Sequence, residues 1–342
     1  MRKKRLQSIT SRPVSTAMVT TALVLVFIAI ASVVMVRNQK HAQRVFSKAT
    51  VPSLKHAAPV KDTQETNPMP EKPVSPSAPK LFTDTPTWTQ DFSAAPNGEL
   101  DDQFWNMEVG NNDGWGNDEQ QYYTARQRNV RIEDHALVIT ARREPYKGQR
   151  YTSARLQTAG KFDFTYGKLR VQAKLPEGTG VWPAIWLWPT DDTYSGQPLT
   201  TTEKDFSWLA NGEIDITEGQ AQGDNQYSAS AHAIANHPGN GERTGYVNVT
   251  NASTEYHTYG LDWTPEKLVY SVDEQPFYEV GNPHTDFKTW PYDQRYHLIL
   301  NIAMGGAMSS NLRAQYPPDG ITKSAAEWTM AVKSITYYPL TH

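Results

Sequence analysis

Cysteine is absent from the 342 residues. That excludes disulfides, thiolate metal sites and cysteine nucleophiles together. Acid is absent from residues 1–60, which hold ten Lys/Arg; the rest of the chain has 23 Lys/Arg against 36 Asp/Glu, a formal charge of −13. An acidic domain is a poor partner for nucleic acid or anionic polymers, because like charges repel along the whole approach. Nucleic acid is therefore not an expected partner, and a neutral ligand fits better. Long apolar runs are absent with one exception, and so are helix-length apolar stripes and repeats of fixed period.

The exception is Ala17 to Val36, twenty residues without a charge. As a helix it would span ~30 Å, the thickness of a bilayer's hydrocarbon core. Ala29-Ile-Ala31 is a small-x-small pattern that a signal peptidase could cut, but the apolar run continues for five residues beyond it and the basic leader is long. The expectation is an uncleaved single-pass signal anchor at 17–36 behind a cytoplasmic basic leader at 1–16. Cleavage would instead give a secreted protein. Lys and Arg flank the run on both sides, so the positive-inside bias favours a cytoplasmic N-terminus only slightly. Residues 37–87 hold many Pro, Lys, Thr and Ser, as in Asn67-Pro-Met-Pro-Glu-Lys-Pro-Val-Ser-Pro-Ser-Ala-Pro79, and read as a disordered, semi-extended stalk.

Around Trp88 the composition turns to aromatics, Gly turns and short alternating runs. Lys168-Leu-Arg-Val-Gln-Ala-Lys-Leu175 alternates throughout, with Leu169, Val171, Ala173 and Leu175 on one face, as a half-buried antiparallel strand does. Similar runs lie at Ala136–Ala141, Tyr227–His232, His257–Trp263, Leu268–Val272, Pro276–Val280, His297–Ala303 and Val332–Tyr338. Val272-Asp-Glu-Gln-Pro276 predicts a hairpin turn. Many short strands with turn signals point to an all-β sandwich. One domain, 88–342, is expected, and a monomer.

Gly212-Glu-Ile-Asp-Ile-Thr-Glu218 is the chemical centre. In a strand, Glu213 and Asp215 share a face while Ile214 and Ile216 point to the core. Glu218 falls on the wrong face unless a β-bulge near Thr217 absorbs one residue. Aligned like charges repel and strands disfavour Asp and Glu, so a structural role alone leaves this pattern unexplained, a solvated acidic edge strand aside. Two carboxylates at close range can divide nucleophilic and acid/base work on an acetal. They sit ~5–5.5 Å apart in retaining glycosidases and ~6.5–9.5 Å apart in inverting ones. A central Asp can hold the nucleophile by a shared proton and keep the acid protonated.

Ordered blocks along the chain resemble glycoside hydrolase family 16, in particular its laminarinase-like (endo-β-1,3-glucanase) branch. They are Asn117-Asp-Glu-Gln-Gln-Tyr-Tyr-Thr124, Tyr151-Thr-Ser-Ala-Arg155, Gly160-Lys-Phe-Asp-Phe-Thr-Tyr-Gly167 and Ala173-Lys-Leu-Pro176, followed by Trp182-Pro-Ala-Ile-Trp-Leu-Trp-Pro189, Gly212-Glu-Ile-Asp-Ile-Thr-Glu218, His257-Thr-Tyr-Gly-Leu-Asp-Trp-Thr-Pro265 and Leu300-Asn-Ile-Ala-Met-Gly-Gly306. The resemblance implies a jelly-roll β-sandwich of the concanavalin A-like lectin/glucanase type with a groove on its concave face. It implies Glu213 as nucleophile, Asp215 as assisting carboxylate and Glu218 as acid/base. Trp115, Asn117, Arg155, Trp182, Trp186, Trp208 and His232 match positions that contact substrate, the indoles by stacking on pyranose faces.

Departures from the family pattern are also present. Thr217 stands where a bulky apolar residue is commoner, and Ala233 where an aromatic is usual. Asp191–Ala210 is long and polar. Lys333 replaces an Asp that many members hold near a structural calcium, which weakens the case for calcium; no other cofactor and no catalytic metal are implied. The expected activity is retaining endo-hydrolysis of a neutral β-glucan, β-1,3 or mixed β-1,3/1,4 linked, in the periplasm or outside the cell. Alternatives are a hydrolase or transglycosylase acting on another polysaccharide such as agar, a non-catalytic glucan-recognition module, and a carboxylate metal site built from Glu213, Asp215, Glu218 and His232. A row on one strand face does not easily converge on a metal.

Overall fold

In a computed structural model of the chain, the described residues are 80–219, 225–237, 241, 243–306 and 325–341. The Ala17–Val36 run and the stalk up to residue 79 lie outside them. Among the described residues, no helix is long and apolar enough to cross a membrane.

Two mostly antiparallel sheets form the domain, one of ten strands and one of eight. The eight-stranded sheet runs in the order Thr244–Asn248, Gln226–His232, Glu213–Gly219, Val181–Pro189, Tyr296–Met304, Arg155–Gln157, Asn106–Glu108, with Asp163–Phe164 paired to Tyr296–Met304. The ten-stranded sheet is centred on Gly167–Lys174 and Glu327–Tyr338. Strand order departs from chain order throughout, as expected of the jelly-roll β-sandwich type. The core lies between the sheets and takes one face of each strand: Leu169, Val171 and Ala173 from one sheet, Ile185, Leu187, Ile214, Ile216, Leu298 and Leu300 from the other.

The alternating runs become strands with small boundary changes. His257–Trp263 keeps the expected limits, and the final strand starts at Glu327, earlier than the alternation suggests because it pairs with both Ala136–Arg142 and Gly167–Lys174. The hairpin at Val272–Pro276 is present, joining Lys267–Val272 to Gln275–Gly281. Its Asp273 and Glu274 both hold positive φ, 51° and 59°, the twist that a two-residue hairpin turn requires. Phe82 bridges to Leu340.

The long polar segment after the tryptophan block is not an open loop. It carries a short 3₁₀ turn at Glu203–Leu209, and Leu209, Ala210 and Ile234 make a second small core with Tyr194, Leu199 and Phe287 against it. This lobe presents Trp208 beside the catalytic strand.

Candidate active site

The expected bulge is there. Toward one neighbour, Asp215 pairs with Ser230 and Glu218 with Ser228, so three steps on one strand match two on the other. Toward the other neighbour, Thr217 pairs with Ile185 and Asp215 with Trp186. Ile185 is a core residue, so Thr217, its cross-strand partner, turns to the core side next to Ile216. The extra core-facing residue returns Glu218 to the face of Glu213 and Asp215. Thr217 is fully buried, and its hydroxyl has no hydrogen-bond partner among the described residues.

All three carboxyls line one cavity of about 460 Å³ with Trp115, Asn117, Arg155, Trp182, Trp186, Trp208 and His232. Every site residue expected from the sequence is therefore brought to one place. Trp188, of the same tryptophan cluster, joins them, and four further lining residues were not singled out: Gly116, Glu119, Ala184 and Asn301. Glu119 lay inside the Asn117–Thr124 block, and Trp188 follows Trp182 and Trp186 with the strand's period of two. Asn301 needed the pairing of Ala184 with Asn301 across the sheet to be seen.

The tryptophans are held rather than merely clustered. Trp182 Nε1 donates to Glu218 Oε1 at 2.9 Å, and Trp186 Nε1 donates to Asn301 Oδ1 at 2.8 Å. The Arg155 guanidinium lies between two rings, 4.6 Å from the Trp115 centroid and 4.7 Å from that of Trp186, and pairs with Glu108. Trp188 packs edge-on to Trp186 and parallel to Trp208, with centroids 5.9 and 6.5 Å apart. Trp115 sits in a tight left-handed turn, Asn112–Gly116, whose residues all have positive φ. Non-Gly residues there cost ~1–2 kcal/mol each; the Asn111 side chain accepts from Gly114 N and steadies the turn.

Crowding sets the electrostatics. Burial pushes the Glu213 carboxyl well above the usual carboxylate range, and the neighbouring Asp215 charge adds to the push. Asp215 is raised in turn by burial and by the Glu218 charge. A carboxyl oxygen of Glu213 and one of Asp215 lie within 4.8 Å of each other, a separation at which two buried acids favour sharing one proton. His232 Nε2 lies 3.1 Å from Asp215 Oδ2, and its charge favours ionisation of Glu213. Behind the groove, Glu119 is raised by burial; it accepts from Gln121 Nε2 at 2.6 Å and from Asn117 Nδ2 at 3.3 Å.

Of the four groups weighed for a metal, three come together and Glu218 does not join them. Glu213, Asp215 and His232 each bring one ligand atom within 4.8 Å of the others. The cross-strand pairing of Glu213 with His232 brings in the third group that a single strand row lacks. Lys333, at the position weighed for calcium, places its ammonium 5.7 Å from the Tyr256 ring.

A β-sandwich whose eight-stranded sheet carries a bulged Glu-x-Asp-x-x-Glu strand under a row of tryptophans has the build of a polysaccharide-active domain. The chain belongs to glycosyl hydrolases family 16, whose family model matches residues 117–319. It is 42% identical over 227 residues to a beta-glucanase of Rhodothermus marinus, covering 64% of this chain and 75% of that protein. It is 36% identical over 239 residues to a glucan endo-1,3-beta-glucosidase of Cryptopygus antarcticus, with 64% and 80% covered. The X-ray structure of the laminarinase from Rhodothermus marinus superposes with a TM-score of 0.65 at 36% identity, covering 77% of this chain and all of that one.

Proposed function

We propose that the protein is a retaining endo-glycosidase that hydrolyses neutral β-glucan, with Glu213 as nucleophile, Glu218 as general acid/base and Asp215 as the group that holds and tunes the nucleophile. The observation that carries this is the bulge, which sets Glu213 and Glu218 on one face with Asp215 beside the former, carboxyl oxygens of the two within 4.8 Å. Substrate binding displaces water, and the Glu213–Asp215 proton stays on Asp215 while Glu213 attacks the anomeric carbon. Glu218 gives its proton to the leaving oxygen. Water then enters, Glu218 takes a proton from it, and the glycosyl–Glu213 ester is cleaved with net retention. Trp182, which donates to Glu218, fixes that carboxyl at the scissile bond.

A neutral chain suits the groove. Among the described residues, Arg155 is the one Lys or Arg in the cavity lining, and it is engaged by Glu108 and by two indole faces. An anionic polymer would want free Arg or Lys there. The names of the relatives, a glucan endo-1,3-beta-glucosidase and a laminarinase, support β-1,3 linkages, and that of a solved endo-beta-1,3(4)-glucanase supports mixed ones. The deciding experiment is a product profile on laminarin, lichenan, agarose, xyloglucan and carrageenan. Hydrolysis of laminarin or lichenan is expected, with almost none of carrageenan; faster cleavage of a sulfated polymer would overturn the reading.

The convergence of Glu213, Asp215 and His232 favours one second reading, a metal-dependent hydrolase. Prolonged dialysis against a chelator separates the two: the carboxylate mechanism keeps its rate, a metal site loses it. We propose further that the domain works outside the cytoplasm, where a polymeric substrate would be met, with Ala17–Val36 as its tether. Sedimentation of the full chain with membranes after carbonate washing tests the tether, and a soluble mature form beginning near Ser32 would refute it.

A further inference from the structure

Four large hydrophobic side chains are strongly exposed among the described residues: Leu81, Val109, Trp208 and Tyr246. Two of them flank the carboxylates. Trp208 belongs to the tryptophan-lined cavity, whereas Tyr246, 58% exposed, stands on the opposite side, on the edge strand Thr244–Asn248. The cavity lining ends at Glu218 and His232 and takes nothing from that strand.

The register places Tyr246 on the groove face. Glu218 pairs with Ser228, and Ser228 pairs with Tyr246; paired residues of antiparallel strands share a face. One step along, Asp215, Ser230 and Thr244 form the next row, and the Ser230 and Thr244 hydroxyls meet at 3.0 Å. The alternate residues Tyr227, Ala229 and Ala231 are in the core, with Val247 packed against it. Gly245 locks this arrangement: a Cβ there would come within 2.3 Å of the Tyr278 ring, so only glycine lets the edge strand settle with Tyr246 facing outward over the groove. The ring therefore lies two strands from Glu218, ~10 Å across the sheet, about the reach of a disaccharide.

We propose that Tyr246 is a binding platform for the leaving-group side of the β-glucan, the half of the substrate that departs when Glu218 donates its proton. The inference rests on the endo-glucanase reading above. A chain bound across the carboxylates has its other half among the tryptophans and must pass over Ser228 and Tyr246 as it leaves the cavity. A phenol ring offers a pyranose face an apolar surface, and its hydroxyl offers a hydrogen bond at the rim.

The test compares laminarihexaose, long enough to reach Tyr246, with an aryl β-laminaribioside, whose leaving group is a single small ring. Tyr246→Ala should lower the ratio of kcat/KM for the hexaose to that for the aryl glycoside by about threefold to tenfold and shift the hexaose cleavage pattern. Tyr246→Phe should restore most of the ratio. An unchanged ratio and product pattern in a folded Tyr246→Ala variant would overturn the proposal, and so would an equal fall on both substrates with a lowered Tm. A binding arm keeps this separate from the function itself. In the Glu213→Gln background, calorimetry with laminarihexaose should show about the same threefold to tenfold loss on Tyr246→Ala, whether or not the wild type proves to be a hydrolase. Wild-type failure to cleave laminarin or the aryl glycoside would sink the endo-glucanase reading alone.

Discussion

Strands Gly167–Lys174 and Glu213–Gly219 both alternate, yet they solve opposite problems. The first buries Leu169, Val171 and Ala173 on one face and keeps its charges in partial solvent, where Arg170 pairs with Asp262 and Glu274. The second buries both faces, one with isoleucines and the other with carboxyls that repel one another inside a tryptophan-walled cavity. The contrast shows where this fold keeps its stability and where it gives some up: Gly167–Lys174 sets Arg170 against two carboxylates, and the catalytic strand is held in a strained electrostatic state by its neighbours.

The largest test of that contrast is at the carboxyls. Glu213→Gln should cut laminarin hydrolysis by several orders of magnitude, because no other group can form the covalent intermediate. Glu218→Ala should lose comparable activity on laminarin but regain turnover on an activated aryl glycoside when azide is added, giving a β-glycosyl azide. Residual laminarinase activity within about tenfold of wild type in either variant would break the assignment. Trp186→Ala should weaken glucan binding by about 1–3 kcal/mol, read by calorimetry, with disturbance of the Arg155 stack seen as a further loss of order.

Stability should move the other way at the same residue. A carboxyl raised in the native state contributes stability that is intact below its unfolded pKa, near 4.5, and is lost as pH rises through the raised native value. Glu213→Gln should therefore increase stability at neutral pH by about 0.5–2 kcal/mol, with the gain fading in acid, where Glu213 is protonated in both states. Denaturant titrations at a series of pH values read this directly. By contrast, Val171→Ala in Gly167–Lys174 should destabilise at every pH by about 1–3 kcal/mol. The smallest effect is expected at Thr217→Val. Removing a buried hydroxyl that lacks a partner should raise stability by about 1 kcal/mol with activity kept, and a fall in Tm would show that the hydroxyl is satisfied after all.

Much of the fold was legible because a half-buried strand writes its period into the chain. Lys168–Leu175 and His257–Trp263 needed no tertiary information. The short pieces did not announce themselves. Gln121–Tyr123 and Asn106–Glu108 are three residues each, too brief for alternation to register, and exist because longer strands offer them an edge. The left-handed turn at Asn112–Gly116 was signalled by its Asn, Asp and Gly content, yet a tryptophan in such a turn is held only by what surrounds it, here the Arg155 guanidinium.

The need for a bulge can be read from spacing alone if both glutamates are to act together. Glu213 and Glu218 are five apart, an odd number, and a strand's period of two cannot place both on one face without an extra residue. The sequence by itself also determined which indoles the tryptophan strand would group, since Trp182, Trp186 and Trp188 share a parity. Only the tertiary structure decided which side that group faces. Trp105 and Trp263 are buried in the core while Trp115, Trp182, Trp186, Trp188 and Trp208 wall the cavity, because the second sheet covers one face of the first and leaves the other open. The raised carboxyls, the Glu213–Asp215–His232 cluster and the outward Tyr246 were decided there too: desolvation and cross-strand proximity are properties of neighbours far apart in the chain, and no local pattern encodes them.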